Sequence, residues 1–209
     1  QLPFVAEEQV EIAHVPLGRV RGPGTLYAGG HGIRGLAAEV GVHPAKALVL
    51  DPGRFGFGAE CAGIAVAKDM QIVEHKGMGL VSDVFDMEHL AQLDGGSAVG
   101  HVRYSTTGSS ILTNAQPFRI HHRKKSYAVA HNGNFTNAHI LKNELEAAGS
   151  IFQSTMDSEI FLHLFVKNLK SGFEQALVET VSRLEGAFSI IMLTSKGEVI
   201  GIKDPHGFR

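Results

Sequence analysis

Regular alternation of apolar and polar positions begins near residue 60 of this chain and runs almost to its end. Residues 62–68 and 71–75 read as two strands joined by Asp69 and Met70. Residues 97–104 and 126–130 read as two more, each running out into a polar, small-residue loop. A block of helices follows. Residues 137–148 close at Gly149, residues 157–169 open on the acidic Asp157, which suits the positive end of a helix, and residues 173–184 close before Gly186. In the second helix Ile160, Phe161, Leu164 and Phe165 share one face. Residues 187–194 and 199–203 then form a strand pair that turns through Ser195-Lys196-Gly197. Strands, then helices, then strands predict layered α+β packing.

The stretch before residue 60 differs in kind. Gly22-Pro23-Gly24, Gly29-Gly30 and Asp51-Pro52-Gly53 punctuate it, its apolar runs are short, and no period persists. The chain is therefore divided into an atypical region, residues 1–57, and a regular domain, residues 58–209. A length of 209 residues suits one well-buried domain, and 44% hydrophobic with 19% charged residues is the balance of a globular protein. The formal charge of -2 gives no field that would collect nucleic acid or anionic lipid. No apolar run of about 18 residues is present to span a bilayer. Cys61 is the single cysteine, which excludes an internal disulfide and points to a cytoplasmic protein. The chain opens on Gln1 with no leader pattern, an opening that suits a fragment.

Three short segments could carry chemistry. The run Gly100-His101-Val102-Arg103-Tyr104-Ser105-Thr106-Thr107-Gly108-Ser109-Ser110 leaves a strand and ends in small hydroxyl residues. There Arg103 is either a clamp holding a carboxylate through two parallel hydrogen bonds or a surface arginine in a turn. In Ala130-His131-Asn132-Gly133-Asn134, Asn132 and Gly133 are either a β-turn or an oxyanion hole, a side-chain amide and a glycine N–H aimed at one developing negative oxygen. Asp157 is either a helix cap or the partner of a substrate ammonium. Twelve histidines form no metal-binding pattern, and the glycines match neither a dinucleotide loop nor a P-loop. The basic patch His121-His122-Arg123-Lys124-Lys125 reads as a solvated loop rather than a phosphate site.

Taken in order, Glu60-Cys61-Ala62-Gly63-Ile64, Gly100 to Thr106, Asn114-Ala115-Gln116-Pro117-Phe118, Ala130 to Asn134, Asp157-Ser158-Glu159 and Lys203-Asp204-Pro205-His206-Gly207-Phe208-Arg209 resemble the motifs of amidophosphoribosyltransferases. The resemblance covers residues 58–209. Sugar-phosphate transaminases, also class II glutamine amidotransferases, are similar in the arginine and Asn-Gly motifs. The hydroxyl run, Asn-Ala-Gln-Pro-Phe and the closing Asp-Pro-His-Gly-Phe-Arg favour the amidophosphoribosyltransferases, a resemblance that implies a role in purine biosynthesis. The resemblance implies an N-terminal nucleophile hydrolase fold, a four-layer αββα sandwich of two antiparallel sheets. It also implies that Arg103 holds the α-carboxylate of L-glutamine, that Asp157 holds its α-ammonium, and that Asn132 and Gly133 form the oxyanion hole. In such enzymes an N-terminal cysteine attacks the amide, and the ammonia released passes to a second domain to convert phosphoribosyl pyrophosphate to phosphoribosylamine. That phosphoribosyltransferase domain, with Mg2+, is expected beyond residue 209, and a homo-oligomer is expected of the complete protein. An iron–sulfur cluster is left open, and no cofactor is expected in this domain.

The pattern breaks before residue 60. The nucleophile is due near Gly32, where no cysteine stands, and the family's His-Arg pair is replaced by Gly56 and Phe57, with Cys61 in a serine position. Three explanations are open: a wrong-frame or misassembled stretch joined to a genuine domain, a degenerate domain that only binds glutamine or serves as a scaffold, or cleavage after Glu60 that makes Cys61 the nucleophile. The bland alternative for Cys61 is a small buried core residue. The chain as written is expected to release no ammonia.

Overall fold

β3 (Cys61–Lys68) and β4 (Gln71–Met78) form a hairpin closed by Lys68 opposite Gln71. Its two turn residues, Asp69 (φ 49°) and Met70 (φ 61°), both take the left-handed conformation that matches the twist of a two-residue hairpin. The computed structural model that shows this describes residues 12–14, 47–48, 60–103 and 111–206. β5 (Ser97–Arg103) lies along the other edge of β3, antiparallel to it. Between β4 and β5 come two short helices, α1 (Val81–Val84) and α2 (Met87–Gln92). β2 (Ala47–Leu48) pairs parallel with β5 and completes a four-stranded sheet of order β2-β5-β3-β4.

The second sheet is wholly antiparallel. It runs β1 (Ile12–His14), β9 (Val199–Lys203), β8 (Gly186–Thr194), β7 (Lys125–Phe135), β6 (Phe118–His122). Alternation along β7 sends Tyr127 and Val129 to one face and Ala128 and Ala130 to the other. The small alanines meet Ala65, Ala67, Val99 and Leu193 in a core between the sheets. Tyr127 and Val129 instead meet α3 (Ala138–Ala147), α4 (Asp157–Asn168) and α5 (Phe173–Val181). Phe161, Leu162, Leu164 and Phe165 of α4 are all buried there, and each full burial of such a side chain stabilises the fold by roughly 1.5–3 kcal/mol. On the far side of the other sheet α1 seats Val84 over Gly77, where an added Cβ would come within 2.9 Å of the valine. Helices, sheet, sheet and a thin helical layer make up the α+β sandwich that the motifs implied.

Several elements differ from the sequence expectation. The strand predicted to end at Ala130 continues to Phe135, because β8 pairs with every residue from Tyr127 onward. β6 and the two short helices are additions. The third helix ends at Val181, three residues early. The basic patch is the tip of the β6–β7 hairpin, with Arg123, Lys124 and Lys125 exposed and Arg123 at φ 55°. Residues 104–110 and 207–209, the expected nucleophile position at Gly32, and residues 56–59 lie outside the described residues.

Candidate functional site

Asn132 and Gly133 lie within a ladder, opposite Ser189 and Phe188 of β8, so the β-turn alternative for this Asn-Gly pair is corrected. Gly133 has φ 135°, and a Cβ there would lie 2.1 Å from the Ala187 carbonyl oxygen and 2.7 Å from Phe188 Cα. Only glycine fits both the dihedral and the space. Residues 132–134 are exposed, whereas His131 and Phe135 on either side are buried. The strand thus presents its Asn-Gly pair at the surface between two anchored residues.

Asp157 is the first residue of α4. The N-cap is Met156, which makes no side-chain capping bond, so the simple cap alternative for Asp157 is also corrected. Its carboxylate reaches back to β7 instead. One oxygen accepts the Phe135 backbone N–H at 3.0 Å, and the other lies 3.1 Å from His131 Nδ1. The His131 ring stacks on Phe135 with centroids 4.6 Å apart, and Ser158 Oγ lies 3.3 Å from the same Nδ1. An ionised carboxylate only accepts hydrogen bonds and has about four lone-pair positions, so Asp157 keeps accepting capacity beyond these two contacts. Glu159, two residues on, accepts from Gln153 N and Ser154 N, both at 2.9 Å, and from Ser154 Oγ at 2.7 Å. Burial raises the Glu159 pKa, but these bonds and His163 outweigh it and hold the carboxyl below its usual range.

Arg103 ends β5 and is buried opposite Cys61, so it is not a surface arginine in a turn. His101, two residues earlier, stands within electrostatic reach of both Arg103 and His131 and ties the end of β5 to the Asn-Gly strand. Burial lowers its pKa to about 4, helped by the charge of His131 and, less, of Arg103, against a hydrogen bond that the ring donates to the His131 backbone. Ring nitrogens His101 Nδ1 and His131 Nε2 are buried with no hydrogen-bond partner among the described residues. Cys61 is 1% exposed, in an inner strand of its sheet. Burial pushes its thiol pKa up, partly offset by Arg103. The backbone on its N-terminal side is bonded too, Glu60 N to Arg103 O and Gly79 N to Glu60 O, each at 2.9 Å.

Other polar residues hold this region together, and sequence reading assigned them no role. Gln116, 2% exposed, accepts the His131 N–H on Oε1 at 2.6 Å and donates from Nε2 to the His131 carbonyl at 3.3 Å. Asn114 Nδ2 donates to Thr155 Oγ1 at 3.0 Å, and Asn114 Oδ1 accepts from Thr155 N at 3.3 Å, just ahead of Asp157. Asp204 accepts the N–H of Phe188, the residue opposite Gly133, at 3.2 Å. The signal for these lay in polar residues inside the quoted motifs, yet their partners are 15 to 41 residues away and invisible to local pattern. No group of three or more His, Cys, Asp or Glu side chains among the described residues could hold a metal ion. No helix among them is long and apolar enough to cross a membrane.

Comparison with known proteins gives consistent matches. Residues 101–209 match the glutamine amidotransferase domain family. The chain is 44% identical over 153 residues to a chloroplastic amidophosphoribosyltransferase of Glycine max, covering 73% of this chain and 27% of that protein. It is 38% identical over 188 residues to an amidophosphoribosyltransferase of Lacticaseibacillus casei, covering 86% of this chain and 96% of the relative. Among solved structures, glutamine phosphoribosylpyrophosphate amidotransferase from B. subtilis, complexed with ADP and GMP, superimposes with a TM-score of 0.66 at 37% identity. That match covers 73% of this chain and 32% of that one. The chain thus spans about a quarter of the length of the plant relatives it matches.

Proposed function

This chain belongs to the amidophosphoribosyltransferase family, and from that premise we propose that it is the glutamine-handling domain of an enzyme of de novo purine biosynthesis. The complete reaction would free ammonia from glutamine and use it to displace pyrophosphate from phosphoribosyl pyrophosphate, giving phosphoribosylamine. The observation that carries this reading is the Asn132–Gly133 pair, exposed on β7 with a glycine dihedral no other residue suits, and braced on both sides by Asp157. In this reading the Gly133 N–H and Asn132 side-chain amide stabilise the oxyanion that forms when the glutamine amide is attacked. Arg103 holds the α-carboxylate, and the spare lone pairs of Asp157 take the α-ammonium.

The same reading makes the chain as written a binder rather than a catalyst. Its single cysteine is buried inside a sheet, and none stands where the family's nucleophile is due. A non-catalytic glutamine-binding domain is therefore the second reading, and it shares the substrate-holding residues with the first. The matched relatives carry the amidophosphoribosyltransferase name, which supports the purine enzyme over the sugar-phosphate transaminases. Mg2+ at the phosphoribosyltransferase part, a homo-oligomer and a cytoplasmic location belong to the same proposal, although the plant relatives are described as chloroplastic.

Titration calorimetry with L-glutamine, run beside an ammonia assay, tests it. Binding that weakens in Arg103→Lys and Asp157→Asn, without ammonia release, is the expected outcome. A chain that binds no glutamine sinks the proposal, and steady ammonia release removes the binder reading.

A further inference from the structure

The ladder between β6 and β7 pairs Phe118 with Val129, and the same register continued by two residues would set residue 116 opposite residue 131. The backbone ladder stops short of that pair. Pro117 has no N–H to donate, and β7 beyond Val129 is paired only with β8 among the described residues. A strand edge left this way carries unpaired N–H and C=O groups. At His131 both are taken by the Gln116 carboxamide, which accepts the N–H at 2.6 Å and donates to the carbonyl at 3.3 Å. The side chain substitutes for the missing strand residue, one position before Asn132 and two before Gly133.

Two neighbouring features show that this arrangement is built. Gly63 of β3 lets the Gln116 main chain pass, because a Cβ there would lie 2.2 Å from the Gln116 carbonyl oxygen. Asn114, two residues away, binds Thr155 at the entry to α4. One short segment therefore grips both the strand that presents Asn132 and Gly133 and the loop that leads to Asp157.

Resting on the glutamine-binding reading, we propose that Gln116 is a positioning residue for the oxyanion hole, setting the direction of the Asn132 and Gly133 donors without touching the substrate. Its removal lets the peptide at residues 131–133 rotate and so weakens recognition of the substrate's carboxamide. Recognition of the α-carboxylate and α-ammonium, which falls to Arg103 and Asp157, is left in place.

Gln116→Met keeps size and burial while removing both hydrogen bonds. The experiment titrates the 209-residue chain and this variant with L-glutamine and with L-norvaline, which has the same α-groups but no carboxamide. The parent is expected to prefer glutamine, and the variant to lose roughly tenfold in glutamine affinity with norvaline affinity unchanged. Equal losses for both ligands would mean a merely structural role and overturn the proposal, as would an undiminished glutamine preference. A parent that binds neither ligand overturns the glutamine-binding reading. In that case amide hydrogen exchange on the free proteins decides the positioning claim. Exchange at residues 131–134 is expected to rise at least about tenfold in the variant while Phe165 and Ile190 stay protected, and unchanged exchange at residues 131–134 overturns it.

Discussion

The Asp157 carboxylate accepts the Phe135 backbone N–H at 3.0 Å, fixing the first turn of α4 against the end of β7. Because its other oxygen meets His131, one carboxylate spans both ends of the exposed Asn132–Asn134 segment. Asp157→Asn retains an acceptor for Phe135 and removes the charge. A hydrogen bond to a charged group contributes about 1.5–3 kcal/mol, so affinity for L-glutamine should fall roughly 10- to 100-fold. Titration calorimetry reads the loss. An unchanged dissociation constant would show that Asp157 only braces the strand.

Gly133→Ala should destabilise the chain far more than Gly149→Ala, although both glycines have positive φ, 135° and 90°. At Gly149 a Cβ meets nothing within 4 Å, so only the dihedral is strained, at about 1 kcal/mol. At Gly133 the Cβ collides with the β8 backbone, which the ladder holds in place, and the cost should exceed about 3 kcal/mol. Urea unfolding of the two variants measures the difference. Similar midpoints would mean that β7 and β8 part easily at this point, against the ladder seen here.

The regular elements were legible in the sequence because their periods are local. The face of α4 bearing Ile160, Phe161, Leu164 and Phe165, and the hairpin at Asp69 and Met70, lie where pattern puts them. What local pattern left open was the Asn-Gly pair, a strong turn signal that β8 overrides by pairing straight through it. Helix α4 shows the same limit. Asp157 has the composition of a cap, yet its carboxylate is drawn across to the strand. Asn114, Gln116 and Asp204 were visible as motif residues, but what they do depends on partners that only the folded chain brings near.

Stability should fall with acid in a window set by His101. In the folded chain its pKa is depressed from 6.5 to about 4, by burial first and then by the charge of His131. The unfolded chain therefore binds the extra proton between those values. The associated stability is fully present above pH 6.5 and is lost as pH falls toward 4, at most about 3 kcal/mol for a shift of this size. Glu159, also held below its usual range, loses its contribution in the same direction as it protonates. His101→Gln should flatten the slope of urea midpoint against pH between 6.5 and 4.5, and a slope as steep as the parent's would assign the acid sensitivity elsewhere.

Cys61 should behave as an inert thiol. It lies in the ladder between Met78 and Arg103, it is 1% exposed, and burial raises its pKa despite the nearby guanidinium. The thiolate is the reactive form, and neither it nor a reagent gains access until β3 separates from its neighbours. Labelling with dithiobisnitrobenzoate at pH 7.5 should be at least roughly a hundredfold slower in the native chain than in urea. Cys61→Ala should leave glutamine affinity unchanged and lower stability by about 1 kcal/mol. Cleavage after Glu60 would have to break the bonds from Glu60 N to Arg103 O and from Gly79 N to Glu60 O before that thiol could meet a substrate. Fast native labelling, together with ammonia release that Cys61→Ala abolishes, would instead make Cys61 the nucleophile and require β3 to leave the sheet.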